Sequence, residues 1–80
     1  MAEELIGYRR GEPRELLAIR LRQMRETWGL SQADVARHAQ TTQRIISQIE
    51  AGTYNPSVQL LERLGRVFQC RVEIYFRNSR

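Results

Sequence analysis

Apolar residues recur along this chain at two periods, and the change between them divides it. Leu17, Leu21, Met24 and Trp28 follow one another at spacings of four, three and four, the repeat of a helix with one buried face. Pro13 suits the first turn of that helix, where its missing N–H has no intrahelical partner, and Glu12 and Glu15 favour the positive end of the dipole. Gly29 supplies a stop, so a first helix is predicted over about 13–28. Ser31, with Asp34 three residues on, forms a capping-box pair that opens a second helix over about 32–39, whose inner face is Val35, Ala36 and Ala39. After a break at Gln40 and Thr41, Thr42 caps a third helix over about 43–51, with Ile46 and Ile49 inward and Gly52 as its stop. Asn55-Pro56 makes a turn, and Ser57 caps a fourth helix that carries Val58, Leu61, Leu64, Val67 and Phe68 at helical spacing.

The last stretch changes period. Val72, Ile74 and Phe76 alternate with Arg71, Glu73, Tyr75 and Arg77, the pattern of a half-buried strand. A lone strand leaves its backbone groups unpaired, so it needs either the same strand of a second subunit or the Leu5 to Tyr8 segment. The predicted organisation is all-α: a mobile N-terminal arm over 1–12, a four-helix domain over 13–69, and a C-terminal strand and tail over 70–80 that pairs across a dimer.

Composition narrows the function classes. Eighty residues allow one domain with a modest core and leave little room for a catalytic cleft, and small domains without metals or disulfides often gain stability by self-association. Thirteen basic residues, all arginine, against nine acidic ones give a net charge of +4, which suits a polyanionic partner without establishing one. Cys70 is the only cysteine; between Phe68 and Val72 it reads as a small apolar core residue, and it excludes an internal disulfide or a multi-cysteine zinc site. No signal peptide and no run of about 20 apolar residues is seen, so the expectation is a cytoplasmic protein without a membrane partner. His38 has no serine, cysteine or carboxylate placed by pattern to activate it and reads as a solvated helix residue. No Gly-rich phosphate loop, paired-acid motif or metal-ligand cluster is present, so neither catalysis nor a cofactor nor a metal is expected.

Two short helices joined by a tight turn, the second rich in polar side chains, have the form of a helix-turn-helix. Ala36 marks the closest crossing, while Ile46 and Ile49 plug the second helix of the pair onto the core. The other side of that helix presents Thr42, Gln43, Arg44, Ser47 and Gln48, a polar and mostly uncharged face. Solubility alone is more often served by glutamate and lysine. Gln43 and Gln48 can each pair with adenine N6 and N7, and Arg44 can fork onto guanine O6 and N7. Gln32 and Thr42 open helices, where backbone N–H groups attract a phosphate; Ser47 joins them as a backbone contact.

The run LSQADVARHAQTTQRIISQIEAG over residues 30–52, followed by Asn55-Pro56-Ser57, resembles the Cro/cI-type (Xre) helix-turn-helix family, and the resemblance covers about 14–69. It implies a lambda-repressor-like four-helix domain. In the lambdoid phage repressors of that family the residue matching Gln32 binds a phosphate at the start of helix 2, those matching Gln43, Arg44 and Gln48 face base edges, and those matching Arg25 and Glu50 form a partly buried ion pair. Two departures stand out. Gln40 occupies a turn position usually held by glycine, and Ile45, where the family commonly has a small or polar residue, either touches a thymine methyl or packs against the adjoining loop. The resemblance implies a transcriptional repressor that binds double-stranded DNA as a homodimer on a palindromic operator. Its strand tail is further similar to antitoxins of the HigA and HipB types, whose partner is a cognate toxin. The alternative is a protein-interaction module that keeps the fold without binding DNA.

Overall fold

Helices 2, 3 and 4 of this chain each begin at a side chain that accepts from a backbone N–H left without an intrahelical acceptor. A computed structural model describes residues 5–9, 14–69 and 71–75. It contains a strand β1 (Leu5–Arg9), helices α1 (Arg14–Thr27), α2 (Gln32–His38), α3 (Gln43–Glu50) and α4 (Val58–Val67), and a strand β2 (Arg71–Tyr75). Ser31 and Asp34 cap α2 reciprocally: Asp34 N–H donates to Ser31 Oγ at 3.0 Å, and Ser31 N–H donates to Asp34 Oδ2 at 3.1 Å. Thr42 and Ser57 accept from the N–H groups of Ile45 and Leu60 at 3.2 and 3.1 Å, opening α3 and α4.

Helix ends follow one design. After α1, α2 and α3 the chain closes a paired 6→1 and 5→2 turn: Leu30 to Arg25 with Gly29 to Glu26, Thr41 to Ala36 with Gln40 to Arg37, and Thr53 to Gln48 with Gly52 to Ile49. Such a turn requires a positive φ at its pivot. Glycine supplies it at Gly29 (69°) and Gly52 (78°), whereas Gln40 adopts 57° despite its side chain.

The four helices bury one core, formed by Leu17, Leu21 and Met24 of α1, Val35 and Ala36 of α2 with Ala39, Ile46 and Ile49 of α3, and Leu60, Leu61 and Leu64 of α4 with Phe68. Val35, Ala39 and Ile46 are wholly inaccessible, and the small side chains at 36 and 39 let α2 approach its neighbours closely. Arg63 Nε donates to the Ala39 carbonyl at 2.7 Å, tying α4 to the end of α2.

Two expectations need correction. The apolar spacing puts Trp28 on the buried face of the first helix, but the residue is 40 % exposed. It follows the last residue of α1 and so leaves the helical stripe, meeting Phe68 edge-on at 6.3 Å with an interplanar angle of 68°. Val58, at the first position of α4, is 42 % exposed because Leu60 and Leu61 take the inner positions. Of the two partners left open for the C-terminal strand, the Leu5 to Tyr8 segment is the one described: it lies in β1, which pairs in parallel with β2 of the same chain, Leu5 opposite Arg71 through Arg9 opposite Tyr75. Parallel pairing needs a long crossover, and the four helices provide it. Pro13, Cys70 and Phe76 lie outside the described residues.

The pivots generate a paired prediction. Gly52→Ala should lose about 1 kcal/mol, because a Cβ there meets Glu15 only at an ordinary 3.7 Å and the cost is the positive φ alone. Gln40→Gly should be neutral or stabilising by up to ~1 kcal/mol for the converse reason. Urea unfolding of both variants checks the pair; a destabilised Gln40→Gly would mean that the glutamine side chain contributes an interaction of its own.

Candidate nucleic-acid interface

Helix α3 is amphipathic in an unusual sense: its inner side is locked and its outer side is open. Ile46 and Ile49 are buried in the core and Glu50 is 5 % exposed, while Thr42, Gln43, Arg44 and Ser47 face solvent together and Gln48 is half-buried. The Gln48 carbonyl accepts from both the backbone N–H and the hydroxyl of Thr53, which fixes the C-terminal end of the helix. Ile45 is half-buried and packs against the core cluster, so contact with the body of the domain accounts for its side chain.

At the C-terminal end of α3, the Glu50 carboxylate gathers residues from two other elements. Arg25 donates twice to it, Nε to Oε2 at 2.6 Å and Nη2 to Oε1 at 3.0 Å, and sends Nη1 to the Leu30 carbonyl at 3.0 Å. Gln32 Nε2 donates to Glu50 Oε1 at 3.1 Å. Arg22 Nε stands 3.6 Å from the same oxygen. Burial pushes the Glu50 carboxyl up, but the bonds from Arg25 and Gln32 and the charges of Arg25 and Arg22 outweigh it, leaving the group below the usual carboxylate range. The Arg25 guanidinium is held above its ordinary value chiefly by its hydrogen bonds to Glu50, against an opposing effect of burial.

The site residues named from sequence thus fall into two groups. Gln32, Arg25 and Glu50 are drawn into one network; Gln43, Arg44 and Ser47 share an open face with Thr42, whose Oγ1 is engaged as a cap. Val72 and Ile74 lie in β2. Sequence reasoning missed Arg22 and the Gln32–Glu50 bond. The available signal was the i, i+3 spacing of Arg22 and Arg25, which puts both on one side of α1. Among the described residues no cluster of three or more His, Cys, Asp or Glu side chains could hold a metal, and no helix is long and apolar enough to cross a membrane.

Removing Arg25 strands a buried carboxylate, so Arg25→Met should destabilise the fold by about 3 kcal/mol, the lower end for a buried pair because Arg22 and Gln32 remain. The same network sets a pH dependence. Because the folded value of Glu50 is depressed, its contribution is fully present above the ordinary carboxyl value of 4.5 and is lost as pH falls through the folded value. Thermal unfolding across the acid range should show a shallower loss for Glu50→Gln than for the unaltered protein, and equal slopes would argue against this origin.

The comparisons with known proteins agree with this geometry. A helix-turn-helix domain model matches residues 16–73. An uncharacterized HTH-type transcriptional regulator of Archaeoglobus fulgidus is 35% identical over 57 residues, which is 71% of this chain and 81% of that protein. The clp gene regulator ClgR of Corynebacterium glutamicum has the same fold, with a TM-score of 0.70 at 24% identity; the match covers 72% of this chain and 62% of that one, so this chain spans less than two thirds of it. The N-terminal DNA binding domain of SinR from Bacillus subtilis matches with a TM-score of 0.65 at 30% identity over 69% of this chain and 81% of that one. A locked inner face, a capped open helix and these relatives lead to one conclusion: the chain belongs to the Xre-type helix-turn-helix family of transcriptional regulators.

Proposed function

We propose that this chain is a sequence-specific repressor that lays α3 in the major groove of its operator and binds as a homodimer on a palindrome. The observation that carries the reading is the open side of α3, where Gln43, Arg44 and Ser47 stand in solvent on a helix otherwise fixed by the core. Gln43 and Gln48 read adenines and Arg44 reads a guanine, each contributing roughly 1–3 kcal/mol of discrimination. Thr42, Gln32 and Ser47 hold phosphates. Their engagement in the free protein leaves that capacity intact: the second N–H of the Gln32 amide remains to donate, and the Thr42 hydroxyl accepts from Ile45 while its own proton is free to point outward.

One helix in one groove reads only a few base pairs, and two copies spaced by about 34 Å read both halves of a palindrome. The strand β2 supports the dimer, because in a two-stranded sheet each strand is an edge with unpaired backbone groups on its outer side. The narrower role of antitoxin draws support from the tail strand and from the resemblance it carries. It requires co-purification with the toxic product of a neighbouring gene.

Titration of DNA from the region upstream of the chain's own gene tests the reading. Gln43→Ala and Arg44→Ala should each weaken operator binding about ten- to a hundredfold and relax preference at one base pair. Wild-type affinity in both variants would overturn the base-reading assignment, and no binding by the unaltered protein would favour a protein-interaction module instead. Deleting residues 70–80 should leave a folded monomer with weak operator affinity, as read by light scattering and anisotropy; a truncated chain that remains dimeric would place the interface on the helices.

A further inference from the structure

Arg22 and Arg25 project from the same side of α1 toward one carboxylate, yet the two guanidiniums are held very differently. Arg25 is bidentate at 2.6 and 3.0 Å, with its side chain 17% exposed, and its third contact goes to the Leu30 carbonyl. Arg22 approaches Glu50 Oε1 only to 3.6 Å, beyond hydrogen-bond range, and its side chain is 56% exposed. The oxygen it approaches is the one that accepts from Gln32 Nε2. Two guanidiniums facing one carboxylate leave an excess of one positive charge, and Arg22 carries that excess to the surface beside Gln32.

We infer that Arg22 is a backbone-phosphate ligand of bound duplex DNA, positioned by Glu50 beside Gln32. The inference rests on the DNA-binding reading above and adds a contact to it. A half-exposed guanidinium at 3.6 Å is weakly held, because such surface pairs gain little over hydration. A phosphate offers it a charge-assisted, two-pronged partner instead. Glu50 is not stranded by the exchange, since Arg25 and Gln32 keep both of its oxygens occupied. Arg37 and Arg63 are differently committed, the first to Asp34 at 3.2 Å and the second to the Ala39 carbonyl at 2.7 Å. Within the Glu50 network, Arg22 is the member with donors to spare.

The test uses the whole chain and a mixed-sequence DNA duplex, with affinity measured by fluorescence anisotropy over a series of salt concentrations. Arg22→Gln should bind several-fold more weakly whatever the sequence, and its plot of log affinity against log salt should be shallower by about 0.9 per protomer. Arg22→Lys, which keeps the charge, should retain the wild-type slope. A purely structural role would lower the melting temperature of Arg22→Gln and leave the slope unchanged, and that outcome overturns the inference. If the unaltered protein binds duplex with a clear salt dependence while Arg22→Gln keeps the same slope, Arg22 alone is eliminated. If the unaltered protein binds no duplex at all, the DNA-binding reading fails and this contact with it.

Discussion

The Glu50 carboxylate is the constraint around which the helix-turn-helix is arranged. It sits at the last position of α3, the negative end of that helix, in a nearly inaccessible place, so both the dipole and burial work against its charge. Arg25 of α1 and Gln32 at the start of α2 remove that penalty by donating three hydrogen bonds to it. Because Arg25 also holds the Leu30 carbonyl, one charge group joins the end of α1, the α1–α2 connection, the start of α2 and the end of α3. A hydrophobic contact tolerates sliding; a bidentate pair fixes both distance and angle. The orientation of α3 relative to α1 is thereby set at one end by charge and along its length by Ile46 and Ile49.

The turn between α2 and α3 completes this geometry at a local cost. Ala36 and Ala39 permit close approach, and the chain must then reverse over Gln40 and Thr41 before Thr42 can cap α3. Gln40 is held at a positive φ that glycine would adopt without strain. The paired bonds from Thr41 to Ala36 and from Gln40 to Arg37, together with Arg63 on the Ala39 carbonyl, hold the backbone there.

The four helices were legible because their signals are local. Ser31, Thr42 and Ser57 announce helix starts, Gly29 and Gly52 announce ends, and the apolar spacing within each segment marks an inner face. What the sequence hid depends on where elements end in space. Trp28 continues the helical spacing but falls one residue past α1, and Val58 lies at the first residue of α4, where the stripe has not yet met the core. The β1–β2 pairing joins segments separated by the whole helical domain, so the strand pattern narrows the partner to the Leu5 to Tyr8 segment or a second subunit without choosing between them. At the interface, the open face of α3 could be read from residue type. The sharing of one Glu50 oxygen between Gln32 and Arg22 could not, since it requires three elements to be already in place.

The two groups of polar residues differ in how far they are arranged before any ligand arrives, and this difference suits separate tasks. Gln32 is held by Glu50 and Thr42 by the backbone, so on the proposed reading they meet phosphates with little further ordering, whereas Arg22 keeps only a loose approach to Glu50 at 3.6 Å. Phosphate contacts repeat along every duplex and gain from being preset. Gln43 and Arg44 stand open on α3, and ordering a long side chain costs on the order of 0.5–1.5 kcal/mol. Such a residue is ordered at a gain only where a base edge returns a bidentate pair larger than that cost. An unsuited sequence then keeps the phosphate contacts and loses the base contacts. On the proposed reading, discrimination arises from leaving Gln43 and Arg44 free while their supporting helix is rigid.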